Sequence, residues 1–283
     1  MISELLRLAA GPVDLRSIST NAKPGFKGDK DDHKAALPRL GATLTDLQEK
    51  LFAQEYVDEA NLRTPRILLV LQGMDTSGKG GVLSHAVGLL NPSGLRLKSF
   101  KKPTAEELAH DFLWRVKQAV PGPGEIGIFD RSHYEDVLVV KVHELAAAAE
   151  IERRYDAVNA FEARLVESGT VVVKCMLHIS QETQKKRLLA RLDDPTKQWK
   201  FKPDDVDERG YWAAYQAAYE VALEACNTEA APWHVIPSDR KWYRNWAVGN
   251  LLLEALQGLD LDWPAPEYDL DQQRARLKNE VAP

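Results

Sequence analysis

Arg66-Ile-Leu-Leu-Val-Leu-Gln72 runs directly into Gly73-Met-Asp-Thr-Ser-Gly-Lys-Gly-Gly81, and the fold is decided at that junction. An unbroken apolar run between polar residues fits a strand buried on both faces. The residues after it follow the phosphate-loop pattern G-x-x-x-x-G-K-[ST], except that Gly80 stands where Ser or Thr is usual. A helix is expected to leave the loop over residues 82–90. In such a loop the backbone around Gly73, Thr76, Ser77, Gly78, Gly80 and Gly81 turns successive N–H groups toward a polyanion, and Lys79 reaches the phosphoryl group in transit. The hydroxyl missing at position 80 normally ligates Mg²⁺. Asp75, inside the loop, is the substitute, because a carboxylate in a phosphate cradle is costly unless a cation neutralises it. The stretch therefore predicts a site for phosphate together with a divalent metal.

Outward from the loop, apolar runs and helical spacings alternate. Strands are expected at residues 67–72, 95–100, 126–130, 171–177 and 234–236. Helices are expected at 34–56, 105–120, 151–168, 180–192, 208–226 and 239–256, the first from the spacing of Leu40, Leu44, Leu47 and Leu51. That order predicts a three-layer α/β/α fold, a parallel sheet wrapped on both faces, with ligands at the carboxyl ends of its strands. Residues 1–33, rich in Gly, Pro, Lys and Asp, read as an extended arm, 34–257 as the domain, and 258–283 as a peripheral tail.

With 283 residues the chain suits one large α/β domain, and a hydrophobic fraction of 44% sustains its core. The net charge of -5 argues against a general nucleic-acid binder while leaving room for a local basic channel. Cys175 and Cys226 lack metal-ligand spacing and read as buried thiols of a reducing compartment. No run approaches the ~20 apolar residues of a membrane span. Residues 1–10 lack the basic region and apolar core of a signal peptide, so the expectation is a cytoplasmic protein without a membrane partner.

Two further groupings carry chemistry. Ile126-Gly-Ile-Phe-Asp130 followed by Arg131-Ser-His-Tyr-Glu-Asp136 reads as a strand whose terminal carboxylate reaches Mg²⁺, with Arg131 beside it to grip a phosphate. The competing reading makes Asp130 a helix cap paired with Arg131. Glu135 and Asp136 either position an acceptor or complement a helix dipole, and His133 reads as structural rather than as a base. The second grouping runs from Lys185 through Arg187, Arg191 and Pro195 to Lys197, Trp199, Lys200 and Lys202. Arg187 and Arg191 share a helix face. This stretch is either a solvated basic connector or a lid, about residues 187–207, that closes on phosphates and excludes water. Lys98, Lys101 and Lys102 end the second strand, and Lys23, Lys27 and Lys30 lie in the arm, where all can extend a basic track or serve as ordinary surface lysines. Tyr211, Tyr215 and Tyr219 read as packing, and Trp233, Trp242, Tyr243 and Trp246 as core or subunit interface.

Taken together, the loop with Asp75 and no hydroxyl after Lys79, the string Phe129-Asp-Arg-Ser-His-Tyr-Glu-Asp136 and the lid stretch resemble the polyphosphate kinase type 2 family. The similarity spans about residues 34–256 and includes Trp233-His-Val-Ile-Pro237 and Trp242-Tyr-Arg-Asn-Trp246. The resemblance implies a thymidylate-kinase-like P-loop fold with a helical lid, assembled as a homodimer or homotetramer. It implies transfer of a terminal phosphate between inorganic polyphosphate and a nucleotide with Mg²⁺, for which Mn²⁺ can substitute. Asp75 and Asp130 match the family's two essential acidic positions, Lys79 its loop lysine and Arg131 the neighbouring arginine. Arg187, Arg191 and Lys200 match basic lid positions. The string from Asp130 to Val140 is most similar to branches that phosphorylate AMP and, in some members, ADP to ATP. An ATP-dependent nucleoside monophosphate kinase is the rival enzyme, disfavoured by Gly80. A non-catalytic nucleotide-binding switch is the rival outside catalysis.

Overall fold

The computed structural model describes residues 1–56 and 64–280. Its centre is the strand expected from the apolar run, β1 (Arg66–Gln72), joined by β2 (Leu95–Ser99), β3 (Ile126–Asp130), β4 (Thr170–His178) and β5 (Trp233–Pro237). The order is β2-β3-β1-β4-β5 and every pairing is parallel. Side chains alternate across the sheet, so Ile67, Leu69, Leu71, Ile128, Cys175 and Ile236 enter one core while Leu68, Val70, Phe129, Met176 and Val235 enter the other.

Helices cover both faces. In chain order they are α1 (Ile2–Leu6), α2 (Lys30–Ala53), α3 (Lys79–His85), α4 (Ala105–Leu108), α5 (Trp114–Lys117) and α6 (Val139–Val142). Then come α7 (Ala148–Glu167), α8 (Gln181–Asp193), α9 (Asp204–Asp207), α10 (Trp212–Ala225), α11 (Lys241–Gln257) and α12 (Leu270–Lys278). Leu44 and Leu51 of α2, Val82 of α3 and Val248 and Leu252 of α11 fill the first core. Val158 of α7, Ala222 of α10 and Val116 of α5 fill the second. The three-layer α/β/α expectation is met. Among the described residues no helix is long and apolar enough to cross a membrane.

Several local expectations fail for identifiable reasons. The helix expected at 105–120 is two short pieces, α4 and α5, because Asp111 turns the chain between them: its carbonyl accepts from Trp114 N–H (2.8 Å) and its carboxylate from Leu113 N–H (3.1 Å). The helix after the loop ends at His85 and continues only as a 3₁₀ turn, Val87–Leu89, ahead of Asn91-Pro92. Helix α2 starts at Lys30 rather than 34, since the Asp29 carboxylate accepts from Asp31 and Asp32 N–H while Asp32 returns a bond to Asp29 N–H. The tail carries α12, started by Asp269 and without a buried residue.

Residues 1–33 pack on the domain over part of their length. Ile2, Leu6 and Leu15 are buried. Glu254 accepts from Ile2 N–H (2.5 Å) and Ser3 N–H (2.9 Å), and Trp233 O accepts from Leu8 N–H (2.8 Å). An antiparallel bridge between Arg7 and His234 covers the outer edge of β5. Phe26 packs edge-on against Trp242 and Trp246, ring centroids 5.0 Å from each, and Trp233 is core.

A buried ion pair underlies the sheet. Lys174 of β4 points into the second core, where its Nζ meets Glu162 Oε2 (2.6 Å), Tyr134 OH (2.8 Å) and Cys226 O (2.7 Å). Glu162 also accepts from Tyr134 OH (2.9 Å) and lies 3.1 Å from His133 Nε2. The cluster thus ties β4 and α7 to the turn that follows β3. His133 is fully buried there, in keeping with the structural reading of that residue.

Candidate active site

β1 and β3 are neighbours, and connections leave them toward opposite sides of the sheet, which opens a crevice at their carboxyl ends. Leu71 pairs with Asp130, so the strand-ending carboxylate stands level with the mouth of the loop. Position 73 admits only glycine: its φ is +148°, and a Cβ would meet Leu177 O at 2.7 Å and Ser77 Oγ at 2.8 Å. Thr76 (φ +60°) and Arg131 (φ +63°) adopt the left-handed conformation without being glycine, at a cost of about 1 kcal/mol or more each. Both strained residues sit at the crevice, where the surrounding packing holds them.

The charges there form a chain. Arg131 bridges Asp75 (3.1 Å) and Glu135 (3.3 Å). The Glu135 carboxylate, with Asp75 behind it, holds the guanidinium's pKa above its ordinary value against burial. Burial pushes Glu135 up, while Arg131, Lys79 and Gln72 pull it back. Lys79 Nζ donates to Gly73 O (2.7 Å), and burial, then the Arg131 charge, lower its pKa against the pull of Asp75 and Asp130. Asp130 Oδ2 accepts from Ser99 Oγ (3.3 Å).

These residues suit a hard divalent cation. Among the described residues no cluster of three or more His, Cys, Asp or Glu forms a closed cage. Mg²⁺ does not need one, since it binds through one or two carboxylates with water and substrate phosphates completing its shell. Asp75 and Asp130 supply two oxygen donors, and the buried hydroxyls of Thr76 and Ser77 have no hydrogen-bond partner. Gly80 is exposed and a Cβ there would meet open space. The missing hydroxyl is therefore not excluded by crowding. Gly80→Ser is expected to fold with its stability within about 0.5 kcal/mol of wild type, as for an uncrowded surface change. Urea titration checks this, and a loss of several kcal/mol would show that the position is not open.

Structure brings Gly73, Asp75, Lys79, Asp130, Arg131 and Glu135 together. The basic residues divide. Arg187 points at the loop from behind, donating to Thr76 O (2.7 Å), Ser77 O (3.0 Å), Ser238 O (2.5 Å) and Asp239 O (3.2 Å). Arg191 pairs with Asp205 (3.5 Å). Lys197 pairs with Asp194, and Lys200 lies over the ring of Trp199 (4.9 Å), which is 78% exposed. Lys101 and Lys102 are exposed just beyond Ser99.

Sequence reasoning missed part of the cleft wall. The crevice is lined by Asp75, Arg131 and Glu135 together with Gln184, Tyr215 and Tyr219. Tyr219 OH accepts from Gly73 N–H (3.1 Å), and Tyr215 OH donates to Glu208 (2.9 Å), so two of the tyrosines read as packing are also site residues. Their four-residue spacing was the available signal. Arg244 of α11, buried against the loop and donating to Ser77 O (3.1 Å), gave no signal inside an apolar helix.

Comparison with known proteins agrees with this geometry. The profile of the family Polyphosphate kinase 2 (PPK2) matches residues 27–262. The AMP/ADP-polyphosphate phosphotransferase of Meiothermus ruber is 44% identical over 91% of this chain and 93% of its own. The ADP-polyphosphate phosphotransferase of Rhodopseudomonas palustris is 36% identical over 94% of each chain. The crystal structure of Polyphosphate Kinase 2 from Arthrobacter aurescens superposes with a TM-score of 0.94 at 52% identity, covering 99% of this chain and 97% of that one. With the family profile matched over most of its length and relatives this similar over nearly the whole of it, this chain belongs to the polyphosphate kinase 2 family.

Proposed function

We propose that this protein transfers the terminal phosphate between inorganic polyphosphate and a nucleoside mono- or diphosphate, AMP and ADP being the acceptors and ADP and ATP the products. The observation that carries the reading is a phosphate loop with no hydroxyl at position 80 whose own carboxylate, Asp75, shares the crevice with Asp130 on the adjacent strand. That departure from ordinary ATP-dependent kinases coincides with relatives named for polyphosphate.

Asp75 and Asp130 would hold Mg²⁺, which would supply positive charge against the negative charge of the phosphates. Lys79, at the base of the loop, is placed to exchange its bond to Gly73 O for a phosphate oxygen. Arg131, held between Asp75 and Glu135, would offer its planar fork to the phosphoryl group. Glu135 holds Arg131 from the other side and fixes the direction of that fork. The lid residues Arg191, Lys197 and Lys200, with the exposed Lys101 and Lys102 beyond β2, would supply a basic track for a long polyanion. Arg187 acts from beneath the loop. A homodimer or homotetramer accompanies this reading. So does a cytoplasmic setting, suited to two free buried thiols, Cys226 being pushed up to about 12 by burial.

Incubation of AMP or ADP with Mg²⁺ and long-chain polyphosphate, without ATP, is expected to yield ADP and ATP. No product from either acceptor would overturn the proposal, and transfer only when ATP is supplied would favour a nucleoside monophosphate kinase.

A further inference from the structure

Two guanidinium groups converge on one carbonyl oxygen. Ser77 O accepts from Arg187 (3.0 Å) and from Arg244 (3.1 Å), a residue 167 positions away. Arg244 is 2% exposed and makes its other bonds to the Asn245 side chain (3.1 and 2.8 Å). Its guanidinium fills the space that a Cβ at Gly78 or at Gly81 would need. These glycines are thus a socket for an arginine as well as part of a phosphate motif. No described carboxylate bonds to Arg244. Burial, with the Arg187 charge adding to it, pulls its pKa down to about 9.

A trans peptide unit points its C=O and N–H in opposite directions. Holding Ser77 O toward the two arginines therefore aims the next N–H, that of Gly78, away from them. Gly78 N–H makes no hydrogen bond with any described residue, whereas Ser77 N–H is already used by Met74 O (3.0 Å). The peptide that both arginines orient thus carries a donor left free among the described residues.

The geometry points to Arg244 as a positioning residue for the phosphate loop: seated in the Gly78–Gly81 socket, it pulls the Ser77 carbonyl back and presents the Gly78 N–H to a substrate phosphate it never touches. This rests on the loop being the phosphate site, as proposed above. An uncompensated cation behind the loop also strengthens the loop's pull on a polyanion, because little water screens it.

Calorimetric titration with tripolyphosphate, at a temperature where each variant is folded, tests the inference beside steady-state rates. Arg244→Met, similar in length but without charge or donors, is expected to bind tripolyphosphate about tenfold more weakly, with kcat falling as well. Arg244→Lys keeps the charge and one donor for Ser77 O, and is expected to return to within about threefold of wild type. Gly81→Ala leaves the arginine in the chain but blocks its seat. It should reproduce the loss seen in Arg244→Met and add nothing to it in the double variant. Wild-type binding by Arg244→Met overturns the inference, and so does equal impairment of Arg244→Met and Arg244→Lys. Should Arg244→Met not fold, wild-type binding by Gly81→Ala overturns it instead. If the wild type binds tripolyphosphate but transfers nothing, the proposed function fails and the binding comparison still decides the role of Arg244.

Discussion

Asp75→Asn and Lys79→Ala are each expected to lose about a thousandfold or more of polyphosphate-dependent kcat while unfolding near the wild-type midpoint. Both halves of that result follow from the geometry. Asp75 stands in the loop where the usual hydroxyl is absent, so a metal held as proposed would have no equivalent donor there, and Asn keeps the shape but removes the charge. Lys79 is the loop's own cation, bonded to Gly73 O, whereas Arg187 and Arg244 are held behind the loop by their bonds to its other carbonyls. Stability, by contrast, has little at stake. The Asp75–Arg131 pair is roughly a third exposed on each side, 34% and 39%, and such pairs contribute no more than about 1 kcal/mol. Rates with AMP and ADP beside a thermal melt give the answer. Full activity in both variants would remove the assignment of the site.

The largest stability loss belongs elsewhere, in the buried ion pair between β4 and α7. Lys174→Met or Glu162→Gln is expected to cost about 3–5 kcal/mol, because each leaves its partner charged and buried. Lys174 and Glu162 are 0% and 1% exposed, so no water compensates the survivor. Set against a typical total of about 5–15 kcal/mol, that is a third or more of what keeps a domain folded. The double variant removes both charges and is expected to recover a large part of the loss. Chemical denaturation of the four proteins measures this, and a double variant no better than either single one would contradict it.

The same pair sets an acid limit. Although desolvation pushes Glu162 up, the Lys174 ammonium and His133 outweigh it and hold the carboxyl below 4.5. A carboxylate whose folded pKa is depressed contributes its full stability above the unfolded value, and that contribution drains away as pH falls through the folded one. Wild-type stability should thus fall more steeply below pH 4.5 than that of Glu162→Gln.

What was legible in the sequence was what neighbours along the chain decide. The strand, loop and lysine are fixed by spacing within sixteen residues of Arg66, and the ends of β1 and β3 followed from apolar runs that stop at Gln72 and Asp130. What was hidden depends on partners far away. Helical spacing put Arg187 and Arg191 on one face, yet Arg187 serves loop carbonyls and Arg191 pairs with Asp205, a division set by how α8 meets the loop. Lys174 interrupts an apolar strand and Arg244 an apolar helix, and each is intelligible only with Glu162 or Ser77 in view. The helix expected at 105–120 failed on a smaller scale, where one aspartate's bonds outcompeted propensity.

The arm's attachments bear on how the chain is made. Its bonds to Glu254, Glu220 and Tyr243 span 252, 205 and 219 residues. A ribosome delivers the arm long before it delivers those partners, so Ile2, Leu6 and Leu15 wait without cover through most of elongation. Contacts closed over such distances form late, since chain entropy is spent before any contact returns it. The outer border of β5 and the segment that seals it are therefore among the last parts to be joined, and a nascent chain stalled before Trp233 leaves both unfinished.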